Sequence, residues 1–405
     1  MRSVANVAWL WATVLLALIG NAHAAETRDW HEITANAKGQ TVHWNAWGGD
    51  DRNNAFIAWV GQEVKKRYGV TLQHVKLNDT SEAVTRVLAE KTAGRHSGGT
   101  VDLIWINGAN FVAMKNQGLL YGPFTDVLPN FKLVDRAGKP STVVDFTVPV
   151  EGMASPWLMA QVVFVYDSAR TKPADLPRSV PAMLEWARRN PGRLTHPAVS
   201  NFLGVTFLKQ ALLELTPDPR VLQQEATDAK FSLATRELWA WYDALKPFLW
   251  QGGTDFPENG PAMRQLLADG EIDLMISFNP AEAVLSSANN LLPSTARVTS
   301  LENGTIGNTS FVAIPFNAQN KEGALVVANF LLEPEAQARA ENPAVIGLLN
   351  VLDPMMLPAE ERRRFDFRAQ HPAMPSPEEL GQPLPEPHPS WATRLTEEWR
   401  KRYQH

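Results

Sequence analysis

A cluster of amide groups directly follows an apolar run in the first third of the sequence. Residues 101–106 (VDLIWI) are followed by Asn107, Gly108 and Asn110. Amide side chains both donate and accept hydrogen bonds, so this set could bind a polar solute. An Asn-Gly pair alone more often marks only a turn, because Gly tolerates positive φ and Asn bonds neighbouring backbone groups. A second stretch with the same plan favours the binding interpretation.

Residues 272–276 (IDLMI) repeat this plan, because a single Asp is again followed by an apolar run. Ser277 and Asn279 come after it. Pro280 and Glu282 come next, in a capping-box arrangement that predicts a helix capped by Asn279. The Asn279 amide would then serve its own helix, which leaves Ser277 and the backbone N–H groups after Pro280 to bind a solute. Because ligands bind α/β sheets at strand ends, we expect the two stretches to face each other across a cleft.

Trp47 and Gly48 form a third candidate set, at the end of a predicted strand over residues 41–46. A tryptophan face at this position could stack on a planar or cationic solute. The alternative is a core tryptophan beside a turn, which the 14 tryptophans of the sequence favour in general. A tryptophan beside two glycines at a strand end is harder to bury, so both interpretations stay open.

Four more polar or aromatic residues are candidates for contact with a ligand, namely Ser155, Trp157, Asn201 and Thr254. Ser155 and Trp157 lie beside a predicted crossing between two domains, where a closing cleft would contact its ligand. Asn201 begins a predicted helix, and Thr254 follows two glycines on a predicted loop. Each has a structural alternative, because a tryptophan after proline can pack a corner, Asn201 can be an N-cap and a loop residue can simply be solvated.

The sequence lacks the residue patterns of several enzyme and metal-binding classes. The absence of cysteine excludes disulfides, thiolate metal sites, cysteine nucleophiles and a lipidated N-terminal cysteine. No nucleotide-binding, zinc-protease, serine-hydrolase or EF-hand motif occurs, and the nine histidines are scattered. We therefore predict no catalytic residue, no metal site and no cofactor. A hydrolase using Asp50, Asp51 or Asp255, or a sensor subunit, remains an alternative.

Residues 1–24 have the pattern of a secretory signal, with Arg2, an apolar run over residues 4–19 and the small-residue site Ala22-His23-Ala24. A membrane anchor is the alternative, but an apolar run of about sixteen residues is shorter than the roughly twenty that span a bilayer. We predict cleavage after Ala24 and a periplasmic location. The net charge of −5 argues against nucleic acid as a partner.

Apolar periodicity predicts strands that alternate with helices around these candidates, and a final docking helix with Trp391, Leu395 and Trp399 on one face. Such alternation predicts α/β folding with mostly parallel sheets. In residues 101–106 apolar side chains occupy both odd-numbered and even-numbered positions, which predicts a strand that is covered on both faces. The roughly 380 residues after the signal exceed the chain length that usually forms a single hydrophobic core, so we expect two domains.

Five stretches together carry a resemblance to a known family, namely WNAWGG, VDLIWINGANF, VVFVYD, DGEIDLMISFNPAEA and SFVAIPFNAQNKEGALVVANFLLEPEAQ. With them the chain resembles the periplasmic solute-binding proteins of ABC importers, type 2 fold, in a YnjB-like branch near the thiamine, iron and polyamine binders. The resemblance covers nearly all residues after the signal. It implies two α/β lobes joined by crossing strands, lobe one formed by residues 25–152 and 302–345 and lobe two by residues 153–301 and 346–405.

The same resemblance implies a function. We expect a monomeric subunit that captures a small polar solute between its lobes and delivers it to an inner-membrane ABC permease. Cationic, thiamine-like or amine-like compounds are one solute class that the relatives suggest. Iron-binding relatives usually carry an adjacent tyrosine pair, and none of the five tyrosines here is adjacent to another, so we do not expect a ferric site.

Overall fold

The computed structural model of the protein describes residues 29–366, 371, 373–381 and 383–404. The predicted signal peptide and its cleavage site lie outside these residues. The described chain forms two α/β lobes, each built around its own sheet, which confirms the predicted fold class.

The strands alternate with helices in the first part of the chain and become sparser in the second. The strands are β1 (Thr41–Trp47), β2 (Thr71–Leu77), β3 (Leu103–Ile106), β4 (Val144–Asp145), β5 (Val148–Pro149), β6 (Ala154–Gln161), β7 (Val163–Asp167), β8 (Met275–Ser277), β9 (Ala296–Thr299) and β10 (Gly307–Ala313).

The helices cover the two sheets. They are α1 (Trp30–Ala37), α2 (Asp51–Tyr68), α3 (Ser81–Thr92), α4 (Gly108–Asn116), α5 (Val180–Arg189), α6 (Phe202–Leu215), α7 (Asp228–Ala234), α8 (Arg236–Leu245), α9 (Gly260–Ala268), α10 (Glu282–Ala288), α11 (Lys321–Leu331), α12 (Pro334–Glu341), α13 (Ala359–Arg362), α14 (Pro377–Leu380) and α15 (Pro389–Tyr403).

Sheet one, in lobe one, has the strand order β2-β1-β3-β10-β6. β1 is parallel to β2 and β3, whereas β10 is antiparallel to β3 and β6. Leu103 packs into the hydrophobic core on one face of this sheet, and Ile104 packs into a separate cluster on the other. The prediction of a strand covered on both faces is therefore confirmed.

Sheet two, in lobe two, has the strand order β8-β7-β9, and β7 is antiparallel to both neighbours. This differs from the expected mostly parallel sheet. The reason is that β7 continues β6 out of lobe one, while β9 leads back into β10. The two crossing segments run side by side in opposite directions, and the N–H of Val162 donates to Ile306 O (2.8 Å) between the two sheets.

Each lobe has its own large hydrophobic core. Core one contains Trp44 and Trp157, and core two contains the residues of α15 that were predicted to dock, Trp391, Leu395 and Trp399. The docking face of α15 is therefore confirmed. Residues 346–357 were predicted to belong to lobe two, but Ile346, Leu348, Val351, Leu352 and Leu357 pack into core one.

Helix α2 has a defined residue at each end. The Asp50 side chain accepts from the N–H of Arg52 and caps α2, and Gly69 ends the same helix with φ of 72°. Within the described residues, no helix combines the length and the apolar character that crossing a bilayer requires.

Trp157 is a core residue. Its ring lies 4.9 Å from that of Trp105 and 5.5 Å from that of Trp44, centroid to centroid, and stacks on Phe56 at 6.0 Å. The side chain is 1% exposed. The corner-packing alternative therefore describes this residue better than contact with a solute.

We predict that Trp157→Ala lowers the free energy of unfolding by about 3–5 kcal/mol, because it leaves a cavity among three aromatic rings. Urea unfolding followed by circular dichroism measures the change. Phe202→Ala is the matched control, since Phe202 is 41% exposed and its truncation should cost far less. Equal midpoints for Trp157→Ala and the parent protein would contradict the assignment.

Candidate functional site

The tip of β1 is a tight turn that requires glycine. A Cβ atom at Gly48 would lie 2.6 Å from Lys76 Cβ, and one at Gly49 would lie 2.6 Å from the Trp47 ring. Trp47 therefore covers Gly49 closely, and it is only partly buried. Asn54 Nδ2 donates to Gly48 O (3.0 Å) and fixes the turn to α2.

The tip of β3 places the predicted amides at the start of α4. Gly108 has φ of 57°, and its N–H donates to Asp145 Oδ2 (2.6 Å). Asn107 and Asn110 are partly buried. Within the described chain, neither amide side chain has a hydrogen-bond partner, and Asn107 does not cap α4. Both amides can therefore bind a solute without first breaking a bond of their own.

A strained hairpin tip lies against this turn. Phe146 and Thr147, between β4 and β5, have φ of 43° and 76°, values that non-glycine residues rarely adopt. A Cβ atom at Gly108 would lie 2.9 Å from the Phe146 ring. Asp145 is buried, and its Oδ1 has no partner among the described residues. Burial raises its pKa well above the ordinary value, although the Gly108 N–H bond opposes this.

Sequence reasoning missed Asp145 and Phe146. The Phe-Thr pair lacks the Asn or Gly that usually signals a two-residue hairpin turn. The only available signal was the alternation of apolar residues with other residues over 144–150.

Lobe two contributes two aromatic residues to the same region. Asn201 Oδ1 accepts from the N–H of Leu203 (2.9 Å), so Asn201 caps α6, which is the structural alternative given for it. The exposed ring of Phe202 lies 5.7 Å from that of Phe278, the residue after Ser277. The Lys209 ammonium lies 4.9 Å from the ring centroids of both Phe146 and Phe202. This ammonium therefore links the hairpin of lobe one with α6 of lobe two.

The tip of β8 differs from its prediction. Helix α10 begins at Glu282, and Asn279 Oδ1 accepts from the N–H of Ala281 (2.8 Å) instead of capping the helix. Asn279 Nδ2 donates to Ile346 O (2.6 Å), which belongs to lobe one. Ser277 Oγ accepts from the Asn279 N–H (3.2 Å). Both ends of the Asn279 amide are therefore occupied, and one of them joins the lobes.

Glu282 does not form a capping box. Its carboxylate accepts from Arg264 Nε (2.7 Å) and Ser286 Oγ (2.6 Å), and it faces Arg52 Nη2 of lobe one at 3.5 Å. Two buried guanidinium groups attract the carboxylate more strongly than the single backbone N–H of the N-cap residue that a capping box would offer. The predicted capping role of Glu282 is wrong for this reason.

Asp50 completes a cluster of four charges between the lobes, which we call the interlobe ion cluster (Asp50, Arg52, Arg264 and Glu282). Arg52 Nη2 donates to Asp50 Oδ2 (2.7 Å), and Arg264 Nη2 lies 3.6 Å from the same oxygen. Side-chain exposure is 9%, 17%, 11% and 5% in that order. The Asp50 carboxylate is paired with two arginines, so it is not available as the general base of the hydrolase alternative.

The pKa values of both acids follow from this pairing. Burial alone would raise the pKa of Glu282, but the charges of Arg52 and Arg264 outweigh it and lower the pKa. The pKa of Asp50 is likewise lowered, since the hydrogen bond and charge of Arg52 outweigh its burial. Both groups are therefore ionised at neutral pH, and the cluster carries no net charge.

Three of the predicted site residues lie apart from this region. Ser155 is buried in β6 opposite Val312, and Trp157 lies in core one. Thr254 is exposed on a loop of lobe two, where its hydroxyl donates to Gln251 O (2.8 Å). By contrast, contacts through Phe146, Lys209 and Phe202 link the turn at Gly108 to the segment at Ser277. In the described part of the chain, no group of three or more histidine, aspartate or glutamate side chains is arranged to hold a metal ion.

Two α/β lobes whose polar strand tips meet across a hinge are the architecture of a solute-binding protein. The bacterial extracellular solute-binding protein family matches the chain over residues 59–360, and the chain belongs to this family. It is 42% identical over 393 residues to Protein YnjB of Escherichia coli (strain K12), covering 97% of this chain and 98% of that protein.

Solved structures of low sequence identity share the fold. The TpPotD lipoprotein of Treponema pallidum matches with a TM-score of 0.64 at 11% identity, over 90% of this chain and 99% of that one. A putative spermidine/putrescine ABC transporter from Listeria monocytogenes matches with a TM-score of 0.61 at 16% identity, over 89% of this chain and 98% of that one. AfuA from Actinobacillus pleuropneumoniae, with fructose-6-phosphate bound, matches with a TM-score of 0.61 at 12% identity, over 90% and 99%. The family and these neighbours are solute-binding proteins rather than enzymes.

We predict that Glu282→Gln lowers the thermal midpoint at pH 7, because Arg264 loses its charged partner, at a cost of about 3 kcal/mol. The pKa values of Asp50 and Glu282 are lowered on folding, so their stabilisation is complete above their ordinary values of 3.8 and 4.5. It is lost as the pH falls through the lower folded-state values. The midpoints of parent and variant should therefore converge in acid.

A series of thermal melts from pH 7 to pH 3 measures this convergence. Glu258→Gln is the control, since Glu258 is exposed on a loop and should leave the profile unchanged. A midpoint difference that stays constant over the whole series would contradict the assigned pairing.

Proposed function

We propose that this protein is the periplasmic solute-binding subunit of an ABC importer, which encloses a small polar solute between its lobes and delivers it to an inner-membrane permease. The observation that carries the proposal is the meeting of polar strand tips from both lobes at the interlobe ion cluster. From lobe one, Asp50 and Arg52 follow the tip of β1, and from lobe two, Glu282 follows the tip of β8. The protein acts as a monomer after removal of its signal peptide.

The groups that face the solute in this proposal come mainly from lobe one. Trp47 provides an aromatic face, and Asn107 and Asn110 provide unpaired amides at the start of α4. Asp145 adds a buried carboxyl oxygen without a partner among the described residues. An amide pair with a carboxyl group suits a solute that donates hydrogen bonds, so amines and thiamine-like cations are the first class to test. Sugar phosphates are the second, since AfuA was solved with one.

We expect one solute class to raise the thermal midpoint of the purified mature protein. At a hundredfold excess over Kd, binding adds about 2.7 kcal/mol to the free energy of unfolding. The panel contains polyamines, thiamine, sugars, sugar phosphates and amino acids. Asn107→Ala and Asn110→Ala should each reduce the shift produced by the binding class, because each removes one amide from the cleft.

Thr254→Ala is the matched control, since Thr254 lies on an exposed loop and should leave the shift unchanged. A panel without any shift, or a full shift in both asparagine variants, would count against the proposed cleft.

A further inference from the structure

A third stretch of chain connects the lobes beside the two crossing segments. Leu357 belongs to core one and Trp391 to core two, so the chain between them has to pass from one lobe to the other. On this path, residues 380–381 and 383–388 lie along the crossing segments. We call these residues the C-terminal strap.

The strap is bonded to both crossing segments. Leu380 O accepts from Gln161 Nε2 (3.0 Å) at the end of β6 and from Ser300 Oγ (3.3 Å) just after β9. Further along, the N–H of Gly307 donates to Leu384 O (3.0 Å), so the strap pairs with the first residue of β10. The strap therefore holds the outgoing and the returning segment together at the hinge.

A single carboxylate of the strap links the two lobes. Glu386 Oε2 accepts from Lys209 Nζ (2.6 Å) on α6 of lobe two, and Glu386 Oε1 accepts from Asn308 Nδ2 (2.9 Å) on β10 of sheet one. The Lys209 and Glu386 side chains are 1% and 2% exposed. Because burying an unpaired charge is strongly unfavourable, each of these groups fixes the position of the other.

The paired ammonium then contacts lobe one. Lys209 Nζ lies 4.9 Å from the Phe146 ring centroid, and Phe146 sits on the strained hairpin tip of lobe one. Two non-glycine residues with positive φ are strained and persist only where the surroundings hold them. The Phe146–Lys209 contact joins the two lobes, so it can form only when they are close together.

We propose that the C-terminal strap is a brace that favours the closed arrangement of the lobes, and that Glu386 is its positioning residue. Glu386 holds the Lys209 ammonium where it meets Phe146, and it ties α6 to the start of β10. The role in uptake rests on the proposed function, since closure is what encloses a solute. The brace itself is a property of the protein without any solute.

The distance between the lobes tests this proposal. The chain contains no cysteine, so Gln62→Cys on α2 and Ser232→Cys on α7, both exposed, accept two spin labels specifically. Double electron–electron resonance on the solute-free protein gives the populations of short and long distances. In Glu386→Gln we expect the long-distance population, relative to the short one, to rise about tenfold, which corresponds to about 1.4 kcal/mol.

The matched control is Glu397→Gln, the same chemical change at an exposed position of α15, which should leave the distances unchanged. If Glu386→Gln folds poorly, Lys209→Met combined with Glu386→Gln removes both buried charges and should show the same lengthening. Distances in either strap variant that equal those of the parent, or an equal change in the Glu397 control, would overturn the brace. Lengthened distances in Glu386→Gln, together with a parent protein that shows no thermal shift with any compound of the solute panel, would keep the brace and remove the proposed function.

Discussion

Charges that lie between two lobes have to be neutralised, because moving an ion out of water costs several kcal/mol unless a partner compensates it. In this protein that requirement is met in two places, by the interlobe ion cluster and by the Lys209–Glu386 pair. Hydrophobic packing within each lobe does not specify how the lobes face each other. The charge pairs do, since only one relative orientation brings Arg52 to Glu282 and Arg264 to Asp50. The polar strand tips meet as a consequence of that orientation.

The hinge supports this arrangement because its hydrogen bonding is continuous from one sheet to the other. β6 and β7 form one extended segment, β9 and β10 form the other, and the bond from Val162 to Ile306 joins them between the sheets. The antiparallel ladder explains why sheet two is not parallel, since its central strand is the continuation of a strand from sheet one. Any opening of the lobes has to bend this ladder, and the C-terminal strap runs alongside it.

Local patterns were sufficient to predict much of the fold but not the contacts between the lobes. The two-sided strand β3 and the docking face of α15 could be predicted because each depends on residues that are close together in the sequence. The contacts that define the site depend on residues far apart, such as Arg52 and Glu282 (230 positions) or Lys209 and Glu386 (177 positions). No periodicity encodes such pairs. The hairpin at Phe146 was not predicted for a different reason, because its strained turn lacks the Asn and Gly residues by which such turns are recognised.

At Glu282 the long-range ion pairs replace the capping box that the local sequence predicts, and they do so without holding the lobes together tightly. A capping box at α10 would contribute about 1 kcal/mol, yet the carboxylate turns to the arginines instead. Each of the shorter contacts of the ion cluster joins two residues of the same lobe. Arg52–Asp50 (2.7 Å) lies in lobe one, and Arg264–Glu282 (2.7 Å) lies in lobe two. The contacts across the lobes are longer, at 3.5 and 3.6 Å. When the lobes separate, each therefore keeps a complete neutral pair and exposes no lone charge. The cluster thus specifies how the lobes face each other while it adds little to the cost of separating them, which suits the proposed capture and release of a solute.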